Sequence, residues 1–297
     1  MGLIEQLENF THAKIYFDQP MNKHTALGVG GKVAYFAEVD SLYGLNQLLN
    51  LLKDNQRKYK ILGNGTNILV SDSGFDGMII CMKKLSDVFF KRDEIRAMAG
   101  ASLDKLITFA QDNRLSGLEA LTGIPATVGG AVVMNAGAFG HNISDNVTTV
   151  ETLYNGKIKV YNKEDCKFGY RHSRFIGKNE VVISACFKLK ETEREIILSN
   201  KKSYQEVRKS IQPMGKSCGS VFKNPKPRTA GELIDKAGLK GFSVGGATIS
   251  LKHGNFITTK SRATAKDVYT LINIIKDKIY NEFGILLEEE VELVGDF

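Results

Sequence analysis

The stretch Gly123-Ile124-Pro125-Ala126-Thr127-Val128-Gly129-Gly130, answered upstream by Gly63-Asn64-Gly65-Thr66-Asn67, carries the reading of the fold. Glycine has no Cβ and adopts φ > 0 without strain, so such turns let backbone N–H groups approach phosphate oxygens. A glycine-rich turn taken alone is more often structural than a phosphate cradle. Here two of them are flanked by Asn64, Thr66, Asn67 and Asn135, whose side chains hydrogen-bond oxygens and ring edges, and Asn135-Ala136-Gly137-Ala138 extends the second. The combination points to a large polar cofactor. Its spacing is not the dinucleotide fingerprint of a Rossmann unit, because Gly63-x-Gly65 would need a third glycine where Ile68 stands.

A third stretch, Cys218-Gly219-Ser220-Val221-Phe222-Lys223-Asn224-Pro225, sets a serine between a glycine and an apolar segment, where it would face a ligand. Around these stretches the pattern alternates helix and strand. Leu42, Leu45, Leu48, Leu49 and Leu52 form a helical stripe over residues 41–55 with Ser41 as N-cap. Residues 58–63 read as a strand running into the first glycine turn, followed by short strands at 68–70 and 78–81. A strand from Glu94 leads to a helix over 102–113, with Leu103, Leu106, Ile107 and Ala110 on one side. Asn155-Gly156 between strands 147–154 and 157–161 predicts a type I′ hairpin, and 180–190 reads as another strand. A polar helix over 193–211 ends near Gln212-Pro213, which marks a boundary. Beyond it come a helix at 229–237 stopped by Gly238, strands near 247–251 and 255–258, and a helix over 264–283 capped by Gly284. The tail 285–294 ends strand-like and can return to the first part of the chain.

A chain of 297 residues exceeds one hydrophobic core, at roughly 100 to 200 residues per domain. No window approaches the roughly 18 continuous apolar residues of a membrane span, and the first residues carry neither a signal peptide nor a myristoylation pattern. Cys81, Cys166, Cys186 and Cys218 form no C-x-x-C pair, and the five histidines show no i, i+4 pairing, so no metal site is signalled. The formal charge of +7 favours an anionic partner. The Lys and Arg residues are dispersed, without a basic arm, zinc finger or aromatic RNA-binding motif, which argues against nucleic acid, and two diphosphate-bearing small ligands account for the charge equally well.

Residues 22–31, 63–70, 123–140, Phe168-Gly169-Tyr170-Arg171-His172-Ser173, 219–225 and Leu287-Glu288-Glu289-Glu290-Val291 together resemble the UDP-N-acetylenolpyruvoylglucosamine reductase family, in order and over nearly the whole chain. The glycine loops alone resemble only the broader flavoproteins with a vanillyl-alcohol-oxidase type FAD domain. The resemblance implies an α+β fold. An FAD-binding domain of the vanillyl-alcohol-oxidase/PCMH type in two α+β subdomains, residues 1–85 with 285–297 and residues 86–200, would precede an α+β substrate-binding domain at 201–284. It implies a monomeric cytoplasmic enzyme of peptidoglycan synthesis and cell wall biogenesis, serving cell shape and division. With FAD, and NADPH as hydride donor, such an enzyme reduces UDP-N-acetylglucosamine enolpyruvate to UDP-N-acetylmuramate. Lacking the extra tyrosine-bearing loop, the chain resembles the shorter class of the family.

The residue roles rest on the same resemblance. Ser220 matches the serine that protonates the substrate carbon, although a serine in a turn is otherwise a small polar residue. Arg171 matches the arginine whose planar fork suits a carboxylate, with Arg174 as the competing candidate. Glu290 matches the glutamate that assists from the opposite side, with a raised pKa expected, and only the spacing Leu287-x-x-Glu290-Val291 separates it from Glu288 and Glu289. Gly63, Asn64, Gly65, Thr66, Asn67, Gly123, Ile124, Pro125, Ala126, Thr127, Gly129, Gly130, Asn135, Ala136 and Gly137 would hold the flavin, with Arg208 near it and Gln212 beside. Tyr170, Lys223 and Asn224 would contact the substrate. Ala126, Thr259 and Glu292 depart from the family pattern, where glycine, asparagine and arginine are usual. Two other readings compete: another FAD-dependent oxidase or dehydrogenase of the same fold, and a non-catalytic nucleotide- or nucleic-acid-binding protein.

Overall fold

The computed structural model describes residues 2–297. The chain forms two compact units, each assembled from separated segments. The first comprises the residues up to Tyr16, then Phe36–Gly63 and Gly77–Arg208; the second comprises Phe17–Tyr35, Asn64–Asp76 and Lys209–Phe297. Lys14–Pro20, Lys32–Glu38, Phe75–Cys81 and Tyr59–Leu62 make a four-stranded sheet in that order. Strands Lys14–Pro20 and Lys32–Glu38 had no counterpart in the sequence reading. Their apolar residues mix with Lys, Asp and Gln in no clean period.

In the first unit, a five-stranded antiparallel sheet runs in the order Lys157–Asn162, Val147–Tyr154, Val181–Phe187, Glu94–Met98 and Val88–Lys91. Asn155 and Gly156 both have positive φ, 47° and 74°, as a type I′ turn requires. The strand read as 180–190 is instead Val181–Phe187, with Lys190–Glu191 in a separate pair against Leu115–Ser116. Every residue of Val181–Phe187 is buried, which is why it reads as a continuous apolar run without alternation. Helices Leu103–Asp112 and Val128–Val133 close the core over Val150, Ala185 and Phe187. Ser41 caps its helix as expected, accepting from the amide of Gly44, and Ser102 caps the next, accepting from that of Lys105.

The second unit holds a four-stranded sheet in the order Lys216–Ser220, Phe256–Thr259, Ala247–Ile249 and Ser243–Val244. Helix Ala265–Phe283 packs on it through Val268, Leu271, Ile272, Ile275 and Ile279. A capping box of Thr264 and Asp267 starts that helix, and Gly284 ends it in the left-handed region at φ 66°. The tail does return: Glu292–Val294 pairs in parallel with Ile68–Val70. No helix among the described residues is long and apolar enough to cross a membrane, and none of their His, Cys, Asp and Glu residues form a group of three that could hold a metal ion.

Ile272 is wholly buried at the centre of the second unit's core. Ile272→Ala should lower the unfolding free energy by about 2–5 kcal/mol, seen as a lower urea midpoint at unchanged slope.

Candidate active site

In the first unit the two glycine stretches approach each other at Gly63. A Cβ on Gly63 would collide with Oγ1 of Thr127, the residue that caps helix Val128–Val133 by accepting from Gly130 N–H. The amides at the start of this helix are already engaged, Val128 with Ala101 O and Gly129 with Ala99 O, both at 2.8 Å. The glycines there serve close packing, since a Cβ on Gly129 would lie 2.8 Å from that of Ala99. Gly123, at φ 82°, lies under Arg208, whose Nε donates to Thr122 O at 2.9 Å and whose guanidinium stands 5.2 Å over the Phe139 ring. Burial lowers the Arg208 pKa from its ordinary value, yet an arginine keeps its charge. Ala126 has no positive φ and accepts from Leu103 N–H, so its methyl group costs no backbone strain.

Arg171 sits in a two-residue turn closed by paired backbone bonds between Gly169 and His172. Its φ is +50° while Tyr170 keeps negative φ, the pattern of a type II turn that ordinarily takes glycine at this position. Holding an arginine there costs on the order of 1–2 kcal/mol, which surrounding bonds must offset. Asn135, buried and itself at φ 45°, does so: Nδ2 donates to Gly169 O at 2.9 Å and Oδ1 accepts from Ser144 N–H at 3.3 Å. The Arg171 guanidinium donates to Gly137 O at 3.0 Å and lies 5.2 Å from the exposed Tyr170 ring. Arg174 turns elsewhere, donating to Asp165 O and stacking 4.1 Å over Tyr161.

The remainder of the first loop, residues 64–67, belongs to the second unit. Gly65 has φ 66° and presses against His24 O, and the amides of Gly65, Thr66 and Asn67 have no acceptor among the described residues. Three consecutive N–H donors around a left-handed glycine make a concavity suited to an anion. These are therefore the backbone donors that fit a diphosphate. The Asn67 side chain is used differently, since Nδ2 donates to Glu290 O at 2.9 Å, while Asn67 O accepts from Glu292 N–H at 3.0 Å.

Ser220 stands on a β-bulge. Ser217 pairs with Thr258 and Ser220 with Phe256, so three steps on one strand match two on the other, and Gly219 takes up the extra residue at φ 77°. The bulge reverses the alternation and re-aims Ser220. Beyond it, Val221 O accepts from Glu290 N–H at 2.8 Å and Lys223 N–H donates to Glu288 O at 2.9 Å. This tail packing puts Ser220 and Glu290 on two segments joined backbone to backbone. Lys223 is ion-paired with Glu288 and Lys276 with Glu289, at 2.7 Å for the latter, so two members of the acidic triplet have lysine partners. Burial pushes the Cys218 thiol up to about 12, and the nearby Glu290 charge adds to this, so Cys218 stays a thiol. Asn224 Oδ1 accepts from Ala230 N–H at the start of helix Ala230–Lys236, and Thr259 Oγ1 donates to Leu27 O. That bond gives the threonine at this departure from the family pattern a place in the core. Glu292 is exposed on its strand.

A family model for the C-terminal domain of UDP-N-acetylenolpyruvoylglucosamine reductase matches residues 210–294, and one for an FAD-binding domain matches residues 33–160. The UDP-N-acetylenolpyruvoylglucosamine reductase of Geotalea uraniireducens is 40% identical over 284 residues, 95% of this chain and 94% of that protein. The chain belongs to the UDP-N-acetylenolpyruvoylglucosamine reductase family. The crystal structure of the reductase from Thermus caldophilus, 37% identical, superposes with a TM-score of 0.82 over 95% of this chain and 99% of its own. The BBE-like 1 protein of Physcomitrella patens shares the fold alone, at a TM-score of 0.50 and 15% identity over 64% of this chain and 45% of that one. The α+β fold with its FAD-binding domain is that of the reductase family.

Two residues of this site carried no role in the sequence reading. Asn255 is buried against the Ser220 segment, and His253 accepts from Asn255 N–H through Nδ1 at 3.2 Å. The motif His253-Gly254-Asn255-Phe256-Ile257 stood out only for the threonine at 259 beyond it, because an asparagine beside a glycine reads as a turn.

At Gly219 a Cβ would meet no atom within 4 Å, so a side chain there is opposed by the backbone conformation alone. Gly219→Ala should cost about 1–2 kcal/mol in a denaturant titration, and Gly219→Asn less. Burial lowers the His253 pKa below its ordinary 6.5, with the Lys240 charge adding to it. Between that folded value and about 6.5 the unfolded chain binds more protons, so the stability from the neutral ring is complete above about pH 6.5 and lost as pH falls through the folded pKa. Unfolding free energies of a His253→Asn variant, measured across this window, should fall less steeply toward acid than those of the parent; equal slopes would remove His253 as the cause.

Proposed function

We propose that the chain reduces UDP-N-acetylglucosamine enolpyruvate to UDP-N-acetylmuramate, with FAD as cofactor and NADPH as hydride donor, as a monomeric cytoplasmic enzyme of peptidoglycan precursor synthesis. The observation that carries the proposal is Ser220, raised on the Gly219 bulge and tied through Val221 to the backbone of Glu290. In this reading residues 1–85 with 285–297 and residues 86–200 are the two parts of the flavin domain, and residues 201–284 carry the substrate.

FAD, held by the glycine loops, would supply the hydride chemistry that links NADPH to the terminal enolpyruvyl carbon. The chain's own residues manage the charge that this leaves on the neighbouring carbon and carboxylate. Arg171, pre-set by its turn and always charged, pairs with that carboxylate and gains strength as charge develops. Ser220 gives its proton to the carbon, a step in which placement matters more than acidity because the carbanion is a strong base. Glu290 assists from the opposite side. Gly65, Thr66 and Asn67 offer their amides to the cofactor diphosphate, while Gly63, Asn64, Gly123, Ile124, Pro125, Ala126, Thr127, Gly129, Gly130, Asn135, Ala136 and Gly137 shape the cradle and Arg208 braces it. Tyr170, Lys223 and Asn224 contact the sugar nucleotide, and for Lys223 this means exchanging its bond to Glu288.

Anaerobic NADPH should bleach a flavin band in the purified protein, and UDP-N-acetylglucosamine enolpyruvate should restore it. Ser220→Ala should bleach at the parental rate and recover on the order of 10²–10⁴-fold more slowly. Bleaching without recovery in the parent would discard the substrate, and equal losses in both phases of the variant would make Ser220 structural.

A further inference from the structure

The Ser220 strand loses its ordinary partner one residue beyond the bulge. The ladder ends at Ser220↔Phe256, and the neighbouring strand begins there because the chain turns through His253-Gly254-Asn255. Segment 221–223 continues all the same, bonded on one edge to the tail at Glu288 and Glu290. On its other edge stands Asn255, 2% exposed. Its backbone O accepts from Val221 N–H at 2.9 Å, its Oδ1 accepts from Phe222 N–H at 2.9 Å, and its Nδ2 donates to Phe222 O at 2.8 Å. A side-chain amide thus occupies the place of the missing strand residue and satisfies both polar groups of Phe222.

We infer that Asn255 is the positioning residue of the proton-donating step, holding Ser220 in register with Glu290. The inference rests on the reductase reading above. Ser220 keeps one strand pair, with Phe256, but the bulge interrupts the ladder just before it and no strand pair follows it. Its position is set by the residues after it, and these are clamped between the tail and Asn255. Without the side-chain amide the segment keeps its tail contacts and the bond from Val221 N–H to the 255 carbonyl but loses both bonds at Phe222, so the hydroxyl drifts relative to the carbon it serves. Flavin reduction by NADPH does not involve Ser220 and is unaffected.

Asn255→Ala and Asn255→Asp separate this role from bulk stability. Both are followed by anaerobic stopped-flow in the full-length flavoprotein, first with NADPH and then with the enolpyruvyl nucleotide. The bleaching rate and flavin content should match the parent, while recovery slows on the order of 10²-fold, the cost of a displacement of about 1 Å in a reacting group. The aspartate variant adds a readout that a merely structural residue would not move. Its carboxylate can accept from Phe222 N–H but repels Phe222 O, whereas the neutral acid donates and accepts as the amide does. The ratio of Asp-variant to parental recovery rates should therefore rise as pH falls, and the ratio for the Ala variant should not. His253 on the same turn, Glu288, Glu289 and Glu290 with Lys223 and Lys276 on the facing tail and helix, and Cys218 beside them are common to all three proteins and cancel from the ratios. If Asn255→Ala fails to retain flavin, the Asp-variant ratio still decides. A ratio flat in pH, or equal slowing of both phases, would overturn the inference. A parent that bleaches but never recovers would instead overturn the functional reading, and that is seen before any variant is made.

Discussion

A primary amide carries a donor and an acceptor side by side, as the backbone of a strand residue does, and can therefore stand in for one where the backbone has turned away. The candidate site depends on this substitution at three places. Asn135 holds the carbonyl of Gly169 and so the turn bearing Arg171, Asn67 holds the carbonyl of Glu290, and Asn255 holds both polar groups of Phe222. In each case the proposed functional side chain projects from irregular backbone. In each case the asparagine that secures it comes from a distant part of the sequence. An unbonded buried peptide group would cost about 1–3 kcal/mol, and at the buried Phe222 the Asn255 amide removes that cost.

This arrangement divides the labour between rigid and special geometry. The sheets and the helix Ala265–Phe283 supply ordinary burial. Left-handed backbone recurs in the functional segments: at Gly65 and Gly219 in the second unit, where glycine takes it freely, and at Arg171 and Asn135 in the first, where a side chain makes it strained. Strain of this kind persists only where neighbours over-determine it. The bulge at Gly219 needs no such strain: one extra residue turns a side chain that alternation would direct to one face toward the other.

Elements with strong periodicity and clear caps were legible in the sequence. Ser41, Ser102 and Thr264 begin their helices where a hydroxyl precedes an apolar stripe, Gly284 ends one, and Asn155-Gly156 makes its hairpin. Strands Lys14–Pro20 and Lys32–Glu38 were not, because one is largely exposed and the other mixes burial without a period. The helix Val128–Val133 hid inside a glycine-rich stretch, where local propensity argues for a loop and tertiary contact with Ala99 and Ala101 decides otherwise. At the site, the motifs named the candidate side chains but not the groups that secure them. The role of Asn67 could not be read locally, since its partner Glu290 lies 223 residues away. Asn255 was invisible for the same reason.

The second unit is also a statement about order of manufacture. Leu27, Val29 and Leu69 share one core with residues between Cys218 and Val291, and strand Ile68–Val70 waits for Glu292–Val294. A chain emerging from the ribosome at about 5–20 residues per second exposes those early apolar side chains for many seconds before their partners exist. The first unit can gather most of its core from Ile95 to Phe187 during that interval. The second can close only when synthesis is nearly over. Its early segments are then the part of the molecule that a chaperone would meet first, and the serine, the glutamate and the loop of open amides come together in the final act of folding.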